Sequence, residues 1–151
     1  TWKDFYAKMP YDYDVIQLAI INPAQVYMQL HKRFVNDFST ACYIITRHHA
    51  QKLVNLHCRG DKYKLDQGVL PRAVADDLIY NSGNTFSIPL FLYKIELGSS
   101  IHDIHVNVFH KSSYEGLWQF WRSNSADIDD WNPMFSYDPY FNRIPPGFEG
   151  K

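Results

Sequence analysis

The sequence predicts an α/β fold, and three observations support this prediction. Two short apolar runs, residues 14–21 and 40–45, have the length of buried strands. The second run leads directly into a segment whose apolar residues follow helical spacing, and a strand that feeds a helix is typical of α/β proteins. A chain of 151 residues is also long enough to bury the core of one such domain.

The first predicted strand, residues 14–21, is terminated by Pro23. The second predicted strand, residues 40–45, is rich in residues with high β propensity. Thr46 then has the position and chemistry of a helix N-cap, and Gly60 lies just beyond the end of the helical pattern. These local signals predict a strand–strand–helix order for the first part of the chain.

A polar loop over residues 59–68 leads to a short predicted helix that begins at Asp76 and Asp77. Residues 85–93 form another extended segment. Because Pro89 cannot donate a hydrogen bond to a sheet, we expect this segment to be an edge strand or an irregular extended run.

The last third of the chain contains three different sequence patterns. Apolar residues alternate with polar ones from residue 104 to 108, which predicts a half-buried strand that ends at His110. Residues 115–121 predict a short aromatic helix. We therefore expect one α/β domain over residues 1–123, followed by an aromatic and proline-rich tail, residues 124–151, that forms an extended arm or docks on a protein partner.

Composition excludes several classes of protein. The chain is 46% hydrophobic and 21% charged, which is ordinary for a globular domain, and no apolar run approaches the ~20 residues that cross a bilayer. A formal net charge of −1 argues against a protein that binds nucleic acid through a basic face. Cys42 and Cys58 are too few for a disulfide framework, and Cys42 lies in an apolar run where we expect a buried thiol.

Asp76 and Asp77 are the most informative pair of residues in the sequence. A carboxylate at a helix start accepts unpaired backbone N–H groups and meets the positive end of the helix dipole, which explains one aspartate well and two less well. The functional interpretation is that one of them acts as a general base toward an incoming hydroxyl. The structural interpretation is a doubly acidic helix N-terminus, and the dipeptide alone leaves both open.

Seven histidines raise the question of a metal site. His48 and His49 are adjacent on the predicted helix and point about 100° apart, so they cannot share one ion and we expect them at the surface or edge. His105 and His110 flank the end of a predicted strand beside polar residues, where imidazole is a common ligand. The sequence has no His-Glu-x-x-His or Cys-x-x-Cys pattern, no glycine-rich phosphate loop and no serine nucleophile elbow.

The order of several short segments resembles the family 25 glycosyltransferases, which include lipooligosaccharide and collagen-modifying enzymes. Residues 38–47 (FSTACYIITR) and 50–54 (AQKLV) are similar to a strand-to-helix passage of that family. The strand at residues 14–18, the acidic element at 71–79 and the segment at 87–91 are similar to further pieces of it. The resemblance covers residues 12 to 112.

The resemblance implies part of a GT-A, Rossmann-like nucleotide-diphospho-sugar transferase fold with a mixed sheet. Such a domain transfers a sugar from a UDP-sugar donor to a hydroxyl of a glycan or protein acceptor, with Mn²⁺ or Mg²⁺ bound at an Asp-x-Asp motif. Asp12-Tyr13-Asp14 has the letters of that motif but opens a strand instead of following one. The resemblance thus begins after the donor-binding half, and we expect the chain to be the C-terminal, acceptor-side part.

The resemblance also implies roles for particular residues. Asp77 is expected to be the base or the acceptor contact, Asp76 to cap and position the helix, and His110 to contact the metal or the diphosphate. A small-residue loop near donor and acceptor is expected at Ser39, Thr40 and Ala41, although the family's usual glycine is absent there. Aromatic residues that form either a sugar platform or core packing are Tyr114, Trp118 and Trp121. The alternative to an enzyme is a glycosyltransferase-like domain that serves as a non-catalytic structural or interaction module.

Overall fold

The computed structural model describes residues 2–22, 26–65, 70, 72–91, 106–125, 127 and 130–135. These residues form a mixed α/β fold, which confirms the predicted class. In chain order the elements are α1 (Trp2–Lys8), β1 (Val15–Gln17), β2 (His31–Lys32), β3 (Tyr43–Ile45), α2 (Arg47–His57), β4 (Cys58–Arg59), β5 (Lys62–Tyr63), α3 (Ala75–Tyr80), β6 (Thr85–Ser87), a π-helical turn (Val106–His110), α4 (Lys111–Asn124) and a 3₁₀ turn (Asn132–Phe135).

The main sheet has four short strands in the order β2-β6-β1-β3. β1 pairs in parallel with β6, whereas β1–β3 and β2–β6 are antiparallel, so the sheet is mixed as expected. β1 is an inner strand between β6 and β3, and all three of its residues are buried. This central position makes β1 the strand against which the remaining elements are arranged.

Of the two alternatives predicted for the Pro89 segment, the edge strand was wrong, because β6 lies between β1 and β2. Pro89 itself lies beyond the end of β6 and outside regular secondary structure, as the other alternative predicted. Beyond the paired residues, Ile88 N–H donates to Gln17 O and Leu90 N–H donates to Leu18 O, both at 2.9 Å. Backbone N–H groups alternate in direction along an extended chain, so the missing N–H of Pro89 falls on the side away from β1. The proline therefore costs the sheet no hydrogen bond to β1.

One hydrophobic core lies against the sheet and receives contributions from both ends of the described chain. Helix α1, which the sequence patterns did not predict, contributes Phe5, and Met9 follows directly after the helix. Met134 in the 3₁₀ turn is 1% exposed and belongs to the same cluster. The other members come from β1 and β6, the residues directly after these two strands, the loop before β2, and α4: Ile16, Leu18, Leu30, Phe86, Ile88 and Leu117. Part of the predicted tail thus packs into the domain, while residues 136–151 lie outside the described residues.

Helix α2 begins as predicted, with the hydroxyl of Thr46 accepting a hydrogen bond from His49 N–H at 3.2 Å. The surface position expected for His49 was wrong. Its imidazole is fully buried and its Nε2 lies 3.0 Å from the Ile79 carbonyl oxygen. Lys52 adds a second contact by donating to Ser82 O at 2.6 Å. The helix is thereby fixed to the end of α3 and to the turn that follows it.

The π-helical turn Val106–His110 corrects the prediction of a strand ending at His110. Val108 is 56% exposed, so the alternating apolar pattern there does not mark a buried sheet face. The turn continues into α4, which confirms the predicted aromatic helix and extends it at both ends. Residues 104 and 105 lie outside the described residues. Among the residues that are described, no helix is long and apolar enough to cross a membrane.

Candidate functional site

The predicted small-residue loop and the predicted acidic pair meet in the structure. Ser39 N–H donates to Asp76 Oδ1 at 2.6 Å, and Tyr80 O–H donates to Ser39 O at 2.8 Å. Ser39 has φ of 100°, an uncommon value for a residue with a side chain. This conformation lets helix α3 bind both backbone groups of one loop residue, although loop and helix are 37 residues apart. Of the other two predicted loop residues, Ala41 is exposed and Thr40 half-buried.

Gln17 holds the same loop from the side of the sheet, and sequence reasoning did not identify it. Its Nε2 lies within hydrogen-bonding distance of three successive carbonyl oxygens, those of Asp37, Phe38 and Ser39, at 3.2, 3.0 and 3.1 Å. Its Oε1 accepts from Ser87 Oγ at 2.8 Å. A glutamine inside an apolar strand was the available signal, since a buried amide requires partners. Gln17 therefore attaches the loop to both β1 and β6.

Asp77 is sequestered rather than presented to a substrate. Its side chain is 0% exposed, and both carboxylate oxygens bind the Arg72 guanidinium, Oδ2 to Nε at 2.9 Å and Oδ1 to Nη2 at 2.6 Å. The hydrogen bond from Arg72 lowers the pKa of the Asp77 carboxyl below its ordinary value, against the effect of burial. A buried carboxylate with a lowered pKa and both oxygens engaged is a poor general base.

Asp76, unlike Asp77, is not fully buried, and no arginine within the described ranges binds it. Its predicted role as a helix cap was wrong. The N-cap of α3 is Val74 and makes no side-chain capping bond. Asp76 lies in the first helical turn, is half-buried and uses Oδ1 for Ser39. Among the described residues, its Oδ2 makes no hydrogen bond. Of the two carboxylates, Asp76 is the one with an oxygen left for a ligand.

Arg33 extends this group of charges. Its Nη1 donates to Asn81 Oδ1 at 2.7 Å, its Nε donates to Asp37 O at 3.2 Å, and its guanidinium lies 4.8 Å from the centre of the Tyr80 ring. Burial lowers the pKa of Arg33, while the charges of Asp37, Asp76 and Asp77 oppose that shift. The guanidinium is thus a partly desolvated cation beside the acidic site.

A buried histidine–aspartate pair lies just before the loop in the sequence, and sequence reasoning missed it as well. His31 and Asp37 are both 0% exposed, with Nε2 and Oδ2 3.0 Å apart. The other ring nitrogen of His31 lies 2.6 Å from Gln29 O, and Asp37 also accepts from Asn22 Nδ2 and Phe34 N–H at 3.0 Å. Both ring nitrogens of His31 thus lie beside oxygen atoms, and both carboxylate oxygens of Asp37 have partners inside the domain.

A polar cavity of about 350 Å³ opens beside this site. It lies where β2 and β6 meet the end of α3. Its lining residues are Lys32, Arg33, Val35, Tyr80, Asn81, Gly83, Asn84 and Thr85. Tyr80 connects the cavity to the acidic site, since it is one of the lining residues and its hydroxyl donates to Ser39.

A larger groove of about 530 Å³ lies elsewhere, between α1 and the 3₁₀ turn. Its lining is mainly aromatic: Trp2, Phe5, Phe91, Trp131 and Phe135, together with Asp4, Lys8, Leu90 and Asn132. None of these residues belongs to the loop or to the acidic pair. We therefore place the candidate site at the smaller polar cavity and Asp76.

The aromatic residues predicted to form a sugar platform lie on α4 and pack against one another. Tyr114 lies 6.3 Å from Trp118, which stacks on Trp121 at 5.6 Å, and Trp121 contacts Trp131 at 4.1 Å. Trp118 and Tyr114 are half-buried, so each ring keeps some exposed surface. The hydrogen bonds of the acidic pair involve other elements, the loop at Ser39 and Arg72.

His110, the predicted metal contact, ends the π-helical turn before α4. In the described part of the chain, no three His, Cys, Asp or Glu side chains come together in a group that could hold a metal ion. These residues alone therefore do not build a metal site, and the requirement for Mn²⁺ or Mg²⁺ stays a prediction.

Comparison of the chain with protein-family models, with curated proteins and with solved structures found no match.

Proposed function

We propose that this chain is the acceptor-side part of a glycosyltransferase with a partial GT-A fold, which moves a sugar from a nucleotide-sugar donor to a hydroxyl of a glycan or protein. The contact between Ser39 and Asp76 carries the proposal. The sequence resemblance implied that a small-residue loop and an acidic helix start serve one site. Their hydrogen bond of 2.6 Å brings the loop and the helix start together, which supports a shared site.

The environments of the two aspartates support an exchange of the roles expected from sequence. A base must offer an oxygen to the acceptor hydroxyl within hydrogen-bonding distance. Asp76 Oδ2 is available for such a contact, whereas both oxygens of Asp77 bind Arg72. We therefore assign acceptor binding and proton removal to Asp76, and we assign to Asp77 the positioning of α3 through Arg72.

The step that this arrangement supports is simple to balance. The acceptor hydroxyl donates its hydrogen bond to Asp76 Oδ2, and its oxygen forms the new bond to the anomeric carbon of the donor sugar. As the bond from that carbon to the diphosphate breaks, the diphosphate leaves with the electron pair and Asp76 takes the hydroxyl proton. Ser39 N–H keeps the carboxylate in one orientation through Oδ1, which reduces the freedom lost when the acceptor binds.

The test is UDP release from a panel of UDP-sugars with hydroxyl acceptors and Mn²⁺, using the protein that carries this chain. Asp76→Asn keeps an oxygen that can accept from Ser39 N–H but cannot take a proton. We expect turnover to fall by about 10²–10⁴-fold with little change in Tm. Asp61→Asn removes an exposed carboxylate from the β4–β5 turn and serves as the matched control.

Two results would count against the proposal. An Asp76→Asn variant that keeps the turnover of the Asp61→Asn control would remove Asp76 from the chemistry. A wild-type protein that turns over no UDP-sugar with any acceptor would favour the non-catalytic module instead.

A further inference from the structure

We propose that the polar cavity beside Tyr80, called here the cationic cleft, binds a phosphate-type oxyanion carried by a substrate. The cleft is defined by Lys32, Arg33, Asn81 and Asn84, with Tyr80 on the side of the acidic site. The proposal rests on the proposed function for its choice of substrate, because sugar transfer uses a nucleotide diphosphate and can use a phosphorylated acceptor.

The first argument is that the positive charges in the cleft have neutral partners. Lys32 donates to the side-chain oxygen of Asn84 and lies 4.1 Å from the centre of the Phe86 ring. Arg33 donates to the side-chain oxygen of Asn81 and to backbone carbonyls. Over the residues that the structure describes, neither cation forms an ion pair with a carboxylate.

The second argument is that the nearby carboxylates are engaged elsewhere. Asp37 and Asp77 direct both of their carboxylate oxygens to other partners, and Asp14 and Asp76 each accept a backbone N–H. The charges of Asp37, Asp76 and Asp77 act on Arg33, but among the described residues none of these carboxylates forms an ion pair with it. The two cations of the cleft are therefore left to attract an anion.

The third argument is the number of hydrogen-bond donors that remain. An ammonium has three N–H donors and a guanidinium has five. Lys32 uses one of its donors on Asn84, and Arg33 uses its donors on Asn81 and on the carbonyls of Asp37 and Val35. Each cation thus keeps at least one N–H for a ligand, and charge-assisted bonds to several oxygens of one group are what phosphate provides.

The fourth argument is the connection to the acidic site. Tyr80 lines the cleft, its ring centre lies 4.8 Å from the Arg33 guanidinium, and its hydroxyl donates to Ser39, the residue bound to Asp76. An oxyanion in the cleft is thus separated from the Asp76 site by one side chain. A volume of about 350 Å³ leaves room for a diphosphate or a sugar phosphate.

Isothermal titration calorimetry tests the proposal without any need for turnover. The probes are inorganic pyrophosphate, UDP and glucose 6-phosphate, with glucose as the neutral comparison. We expect the phosphate-bearing probes to bind, their affinity to fall as salt rises, and glucose alone to show no binding. Tighter binding of UDP than of glucose 6-phosphate would identify the donor as the source of the oxyanion, and the reverse order would identify the acceptor.

Lys32→Gln is the informative variant because glutamine keeps most of the aliphatic stem and can still donate to Asn84. We expect its affinity for pyrophosphate to be at least about tenfold weaker, which is the effect of losing one charge-assisted hydrogen bond. Lys62→Gln makes the same change at an exposed residue of β5 and should bind like the wild type. Arg33→Lys, which keeps the charge, should bind more tightly than Arg33→Gln.

Equal affinities of Lys32→Gln and Lys62→Gln for pyrophosphate would overturn the proposal, as would the failure of every phosphate-bearing probe to bind the wild type at millimolar concentration. The two proposals can fail independently. If the protein binds oxyanions but transfers no sugar, the cleft proposal stands and the transferase proposal is refuted. If the protein transfers sugar but Lys32→Gln has no effect, the transferase proposal stands and the cleft proposal is refuted.

Discussion

The ion pair between Arg72 and Asp77 gives the sharpest prediction about stability. Asp77 is 0% exposed, whereas the Arg72 side chain is 33% exposed. The consequences of removing the two partners should therefore differ. Without Arg72, a carboxylate is left buried without its cation. Without the Asp77 charge, a guanidinium that already reaches solvent is left with its bond to Val35 O at 2.8 Å.

The magnitudes follow from this asymmetry. Removing one partner of a buried pair costs about 3–5 kcal/mol, so we expect Arg72→Met to lower the free energy of unfolding by about 4 kcal/mol. Asp77→Asn keeps one oxygen as an acceptor and loses the charge-assisted part of the contact, which we expect to cost about 2 kcal/mol. The double variant should cost less than the sum of the single ones by about 1–3 kcal/mol, because the second substitution removes a charge that the first had left unpaired.

The pair also predicts how stability depends on pH. Because Arg72 lowers the pKa of Asp77 from its ordinary 3.8, the unfolded chain binds a proton at this carboxyl more readily than the folded one. The stabilisation is therefore complete above the ordinary pKa and is lost as the pH falls through the lower pKa of the folded protein. Asp77→Asn should remove this part of the acid sensitivity and lose less stability than the wild type between about pH 5 and about pH 2.

Urea denaturation followed by tryptophan fluorescence is a suitable assay, since the chain has four tryptophans. Arg47→Met, at an exposed position that begins α2, is the control for loss of an arginine and should change the unfolding free energy by less than about 0.5 kcal/mol. If Arg72→Met cost no more than this control, or cost less than Asp77→Asn, the reasoning from burial would be refuted.

Two further predictions concern close packing around the site. A Cβ at Gly83 would lie 2.6 Å from His49 Cε1 and 2.9 Å from Asp14 Cβ, so Gly83→Ala should lower the free energy of unfolding by about 1–3 kcal/mol, measured in urea. A Gly83→Ala protein as stable as the wild type would contradict the buried position of His49. At Ser39, with φ of 100°, Ser39→Gly and Ser39→Val both lose the hydroxyl, but valine should be less stable by at least about 1 kcal/mol because it is strained at positive φ. Equal thermal stability of these two variants would argue against that backbone conformation.

Local patterns were sufficient for several elements. β1, β3 and α2 lie within the predicted segments because apolar run length and the Thr46 cap act between residues close in sequence. The order of the strands could not be found in this way. β1 pairs with β6 about 70 residues away, and that distant pairing made the segment before Pro89 an interior strand.

Other mistakes came from patterns that fit two structures. The alternation over residues 104–108 that predicted a strand ending at His110 also fits, over its described part, a helical turn with an exposed Val108, and that turn continues into α4. On α2, the helical spacing was right but the buried face was not fully predicted. Val54 is 49% exposed, whereas His49 is buried because its ring meets the carbonyl of Ile79.

The sequence by itself determined that the chain is α/β and that two adjacent carboxylates begin a short helix. It could not assign their roles, since both are aspartates with the same local neighbours. Adjacent helical residues point about 100° apart, so the packing of α3 decides which one is buried. The packing of α3 turned Asp76 toward Ser39, which lies 37 residues away in the sequence, and buried Asp77 against Arg72, five residues before it.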